Sequence, residues 1–122
     1  MNQFHNHVQL VGRCGNDVAT KLLSDGSRIA RLRLYQPAPP RSPAADGMVH
    51  HLVAWDGLAR QMEARVRRGD QLLVHGQLRH RKRHHEGATL IVTEVHVRHF
   101  ARLRGANAGA EPIAEGRKRS GQ

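Results

Sequence analysis

The chain is poor in aromatic rings, cysteine and acids. Its 122 residues include two Phe, one Trp, one Tyr and a single Cys, with ten Asp or Glu against twenty Lys or Arg. Because Phe4, Tyr35, Trp55 and Phe100 are the only large rings, any core must be aliphatic. Lone Cys14 excludes an internal disulfide framework, and nowhere is there a run of about 18 apolar residues or the apolar block of a signal peptide. Collagen, coiled coil and disulfide scaffold are excluded on composition. These absences read as a soluble protein of a reducing compartment, one domain with at most a tail.

What the chain has in excess is positive charge, a formal net +10. Residues 104–122 carry Arg104, Arg117, Lys118 and Arg119 against Glu111 and Glu115, so the surplus belongs mostly to residues 1–103. The folded part itself is basic, which points to a polyanionic partner, nucleic acid before an acidic membrane surface. Lysine appears only at Lys21, Lys82 and Lys118, and the other basic residues are Arg. A GC-rich genome would give the same bias. Whatever its origin, a guanidinium can both pair with a phosphate and stack on a base.

Alternation and turn signals set out the elements. Val8, Leu10 and Gly12 alternate with His7, Gln9 and Val11, predicting a strand over 6–14 closed by Gly15-Asn16-Asp17. Segments 18–23 and 28–36 flank Ser24-Asp25-Gly26-Ser27, a hairpin signal. In the second arm Ala30, Leu32 and Leu34 share one face; Arg31, Arg33 and Tyr35 share the other. Segment 37–47 holds four of the five prolines and predicts a surface loop. Residues 48–55 read as a strand, and Asp56 is placed to N-cap a helix over 57–68 with Leu58, Met62 and Val66 as its apolar stripe and Gly69 as its end. A strand from Gln71 to Leu78 runs into Arg79-His80-Arg81-Lys82-Arg83-His84-His85 at a hairpin tip, and 88–102 returns as a last long strand. There Ile91, Thr93, Val95 and Val97 lie opposite Leu90, Val92, Glu94, His96 and Arg98. This order fits an all-β small barrel with one inserted helix, a closure that removes most exposed edges. Residues 1–103 form the domain, and 104–122 read as a disordered basic tail.

The seven-residue basic run repels itself in water and gains most with a phosphate backbone between its charges. Its bland alternative is a solvated loop, against which Arg31, Arg33 and the helix arginines weigh. Ten histidines invite a metal site at His80, His84 and His85, but their spacing matches no closed zinc pattern, and no metal or other cofactor is expected. Their use is better read as electrostatic, since imidazoles gain charge just below neutrality. No nucleophile motif, paired-carboxylate signature or phosphate-cradling loop is present, and Gly12-Arg13-Cys14-Gly15 lacks the lysine and spacing of a P-loop, so no enzyme is expected.

At several points in succession the chain resembles the bacterial-type single-stranded DNA-binding protein family. Asn6 to Gly15 is similar to its opening strand, and Ser24-Asp25-Gly26 with Ile29 to Leu34 to its first hairpin. His50 to Ala59 is similar to its strand-into-helix segment, Arg68-Gly69-Asp70 with Val74 to Arg79 to the helix exit and next strand, and Thr93 to Val97 to the last strand. The similarity covers roughly residues 5–103. It implies a five-stranded OB-fold barrel that binds single-stranded DNA as a homo-oligomer, a homotetramer before a dimer, in the bacterial cytoplasm in association with the nucleoid. In the family the position of Trp55 bears a base-stacking ring, and that of His50 a histidine of subunit contacts; His7 joins it as an interface candidate. Family members place further rings where this chain has Val49 and Arg83, and the expected stacking platform is largely missing. The implied compensation is that Arg31, Arg33, Arg79, Arg81 and Arg83 bind by charge and guanidinium stacking, so the expected nucleic-acid residues are these five with Tyr35, Trp55 and Lys82. The last residues carry no acidic tip, and recruitment of replication and repair partners through one is not expected. The alternatives are a primosome-type or RNA-binding OB module and, in a third class, a histidine-dependent nuclease.

Overall fold

Period-two alternation decides the barrel's inside and outside. The computed structural model describes residues 4–37 and 47–105. The proline-rich loop expected around 38–46 and the expected tail beyond 105 lie outside those residues. The elements in chain order are β1 (Val8–Cys14), β2 (Thr20–Leu22), β3 (Arg28–Gln36), β4 (Met48–Trp55), α1 (Asp56–Arg65), β5 (Gln71–His85) and β6 (Ala88–Arg104). Strands β1, β5, β6, β4 and β3 follow one another around the sheet, and β1 also pairs with β3, closing the ring; β2 lies on β3 outside it. All pairings are antiparallel except β4 with β6. This ring with one helix inserted between β4 and β5 is the OB-fold architecture that the resemblance implied.

The core is aliphatic, as four large rings in the whole chain require. Ala30, Leu32 and Leu34 of β3 meet Leu52 and Ala54 of β4, Leu72 and Val74 of β5, and Val95 and Val97 of β6. From α1 and its exit, Ala59, Met62 and Val66 complete the same cluster, while Phe100 packs on it from β6 only partly buried. Each buried Leu or Val contributes roughly 1.5–3 kcal/mol of transfer free energy. Gly12 and Gly76 mark close backbone approaches, where a Cβ would strike the carbonyl oxygens of Tyr35 and His96. The first lets β1 pass from β5 to β3, and the second sits at an irregularity in β5.

Both helix ends depart from the sequence reading. Asp56 does not cap α1 with its side chain: its Oδ1 accepts the backbone N–H of Arg28 at 2.9 Å, and its own φ is +51°. The carboxylate therefore ties the start of β3 to the end of β4 and turns the chain sharply just after Trp55. At the other end the helix stops at Arg65, because Val66 is already extended. Gly69 lies three residues later, at φ +92°, in the turn into β5. There Asp70 accepts the Arg67 N–H, and the Arg67 guanidinium reaches the carbonyls of Glu63 and Val66. A cation on the last carbonyls of a helix is favourable. Arg65, meanwhile, stands over the Phe100 ring at 5.5 Å. Arg65, at the helix end, and Arg67, just beyond it, serve the fold.

The basic run is not a loop. Residues 79–85 continue β5, paired one for one with 88–94 of β6, and the hairpin turns through Glu86 and Gly87 alone. The charges thus stand on a two-stranded ribbon projecting from the barrel, and alternation sends them to two faces.

Candidate nucleic-acid interface

On the outer face of β3, Arg31 pairs with Val53, Arg33 with His51 and Tyr35 with Val49 of β4. Trp55 ends the β4 row, opposite Ile29. On the ribbon, Arg79 pairs with Glu94, Arg81 with Val92 and Arg83 with Leu90. Directly opposed residues of an antiparallel pair share a face, so Arg79, Arg81 and Arg83 join Glu94 and His96 on one side. Lys82, which pairs with Ile91, falls on the other side with His84; His80 has the same parity but also lines the cleft beside Trp55.

Two adjoining clefts run across this surface. One is lined by Arg31, Arg33, His51, Arg81 and Arg83 around Glu94, with Asn16 at its edge. Its neighbour is lined by Trp55, Val53, His96, Arg79, Arg31 and Arg81 around the same Glu94. Arg31, Arg81 and Glu94 belong to both. The structure therefore brings together six of the eight expected nucleic-acid residues: Arg31, Arg33, Trp55, Arg79, Arg81 and Arg83. Tyr35 lies outside the double cleft, further along β3 with its ring against Gly15, where it lines a third cleft with Arg33, Asn16, Arg13 and Arg68. Asn16 holds the β3 end of the groove in place, its Oδ1 accepting the Arg33 backbone N–H at 2.9 Å.

At the centre of this basic surface lies an acid that the sequence reading did not single out. The Glu94 side chain is 4 % exposed, and its Oε2 accepts from Arg31 Nη1 at 2.7 Å and from Arg81 Nη2 and Nε at 3.1 and 3.2 Å. Burial pushes its carboxyl pKa up, but the hydrogen bonds and charges of Arg81 and Arg31 more than reverse this and hold it below the usual glutamate range. Its Oε1 faces His96 Nε2 at 3.3 Å, and His96 Nδ1 accepts the indole N–H of Trp55 at 3.1 Å. An indole nitrogen only donates, so Nδ1 is the bare nitrogen and Nε2 carries the proton toward Glu94. The Trp55 and His96 ring planes are inclined at 29° with centroids 6.2 Å apart, and this hydrogen bond joins the two side chains. Trp55 remains 38 % exposed. One chain of contacts thus joins β3, β4, β5 and β6. Among the signals available beforehand was only the alternation that sets Glu94 and His96 opposite Val95 and Val97.

The remaining expected residues have other surroundings. His50 is half-buried with its Nε2 2.8 Å from Gln36 Oε1, and exposed His7 meets His75 edge to face at 5.2 Å. Nothing brings the two together within one chain. Cys14 is buried, its Sγ 2.9 Å from the carbonyl of Asn16, and burial pushes its thiol pKa up, which disfavours the nucleophilic thiolate. Among the described residues no three His, Cys, Asp or Glu side chains are grouped as a metal would need, and no helix is long and apolar enough to cross a membrane.

Comparison with known proteins bears directly on this surface. Residues 5–103 match the model of the single-strand binding protein family. A "Single-stranded DNA-binding protein" of Bacteroides thetaiotaomicron is 31% identical over 114 residues, covering 86% of this chain and 71% of that protein. A "Single-stranded DNA-binding protein 2" of Nostoc sp. is 35% identical over 72 residues, 59% of this chain and 55% of the relative.

Proposed function

Since the chain belongs to the single-strand binding protein family, we propose that it binds and protects single-stranded DNA in replication, recombination or repair, without catalysis and with little regard to sequence. The observation that carries the reading is the double cleft, in which Arg31, Arg79 and Arg81 share a lining with one exposed ring, Trp55, and Arg33 and Arg83 line the adjoining part. Guanidinium groups at this density neutralise a phosphate backbone, and a lone indole offers a π-face that every base can use. Neither contact reads a base edge, so tolerance of sequence follows from the residue types present. Lys82 and Tyr35 lie off the groove and contribute little to affinity on this reading.

The binding unit is a homo-oligomer, a tetramer before a dimer, with His50 and His7 in contacts between copies, working in the cytoplasm on nucleoid DNA. The test is a competition among single-stranded DNA, duplex DNA and RNA of matched length, run beside a mass measurement of the free protein. Single-stranded DNA should displace a labelled oligo-dT at the lowest concentration, because stacking needs open base faces. Equal or better competition by structured RNA would favour the RNA-binding alternative and sink this reading. A metal-dependent loss of the DNA would replace it with the nuclease.

A further inference from the structure

A single acid in the middle of a surface built to meet phosphates lowers the charge available to them. Its side chain is only 4% exposed and is paired with two of those cations. Glu94 accepts from Arg31 and Arg81 through one oxygen and faces His96 through the other, and His96 in turn accepts from Trp55. Each member has one arrangement that satisfies its neighbours. Arg31 and Arg81 come from strands that are not adjacent in the ring, yet both guanidinium groups are drawn to one atom. Their side chains are still 52% and 43% exposed, so the remaining N–H groups face solvent. Trp55 is held at its nitrogen edge.

We propose that Glu94 and His96 are positioning residues: Glu94 aims the Arg31 and Arg81 guanidinium groups, and His96 passes the same constraint to Trp55, so that the cations and the ring meet a DNA strand already arranged. The proposal rests on the single-stranded DNA reading of the groove. Its physical content is that two long cations and one large ring lose less conformational entropy on binding because the apo protein has already fixed them. This predicts an effect opposite in sign to charge alone: Glu94→Gln, which removes a negative charge from a polyanion site, weakens binding.

The network is also directional. Because the indole nitrogen only donates, a side chain at 96 without an acceptor leaves that N–H unpartnered and releases the ring. The charged and titratable groups beside His96 are Glu94 on its own strand, Arg31 from β3, and Arg79, His80 and Arg81 from β5. Trp55 faces it from β4 and is the chain's only tryptophan, so its fluorescence reports the contact without a label.

The experiment uses the full chain in two arms. In the first, Trp55 emission of the DNA-free protein is compared at one pH among wild type, His96→Leu and His96→Gln. His96→Leu should shift the emission maximum and His96→Gln should keep it near that of wild type; the same emission in all three, or an equal shift in both variants, overturns the link from His96 to Trp55. In the second, affinity for oligo-dT at fixed salt is measured. Glu94→Gln and His96→Leu should each bind about fivefold more weakly, and His96→Gln, which keeps an acceptor and a donor, within about twofold of wild type. Unchanged or tighter binding by folded Glu94→Gln overturns the proposal. If a thermal melt shows that Glu94→Gln does not fold, the His96→Leu and His96→Gln pair decides: rescue by glutamine supports positioning, and equal loss in both contradicts it. Wild-type protein that fails to bind oligo-dT would refute the proposed function, and the fluorescence arm would still test the relay.

Discussion

On the proposed reading most of the base contact falls to Trp55, since the described residues of the double cleft include no second large ring. It is placed by the turn at Asp56, whose carboxylate is spent on the Arg28 N–H, and by His96 at its nitrogen edge. Stacking on such a ring is worth about 1–3 kcal/mol per base. Trp55→Ala should therefore lower affinity for oligo-dT by that amount while leaving a single cooperative unfolding transition, measured by titration and by a thermal melt. Unchanged affinity would take Trp55 out of the site.

Glu94 carries a second prediction at this scale. In the unfolded chain its carboxyl titrates at the ordinary value near 4.5, and in the folded protein the paired arginines hold it lower. The folded state thus binds the proton less tightly, so the stabilisation is complete above about pH 4.5 and is lost as pH falls toward the lower folded pKa. Denaturant midpoints of wild type and Glu94→Gln between pH 6 and 3 should converge as the medium becomes acid. A constant gap would show that the carboxylate's charge contributes nothing to the fold.

Among the elements, the β5–β6 ribbon determines which charges cooperate. Reading 79–85 as one basic block at a tip treated seven side chains as a single cluster, but the strand continues to His85 and splits them by parity. Arg79, Arg81 and Arg83 turn to the groove, and Lys82 turns away. The alternation within each strand was legible, as were the hairpins and the aliphatic core, because those depend on neighbours in sequence. The parallel pairing of β4 with β6, which sets Val53 beside His96 and so brings Trp55 to it, joins segments some forty residues apart, and no local pattern encodes it. That is why Glu94 was read only as one member of a strand face; the β3–β4 contact that uses the Asp56 carboxylate on the Arg28 N–H is likewise non-local, and Asp56 was read as a helix cap.

The ribbon's turn yields its own test. Glu86 and Gly87 have φ +51° and +79°, a two-residue turn with both centres left-handed, where Asn-Gly is the favoured pair. Glu86→Asn should raise stability by up to about 1 kcal/mol, because Asn adopts this conformation with less strain than Glu. An unchanged or lower denaturation midpoint would mean that the turn does not limit the ribbon.

For the whole molecule, a basic chain with few rings has become a specific arrangement of charge. The surplus of +10 is spread over the chain, but five arginines converge on the double cleft, tempered by one buried carboxylate. The family resemblance was legible across residues 5–103, the same span that the family model matches. The central claim is that charge has taken over work that stacking rings would otherwise do. It is tested most directly by the affinity for oligo-dT as a function of salt. With about five phosphates neutralised per site, log affinity against log salt should fall with a slope of about −3 to −4. A slope near zero, with affinity retained at high salt, would mean that stacking dominates and would contradict the account.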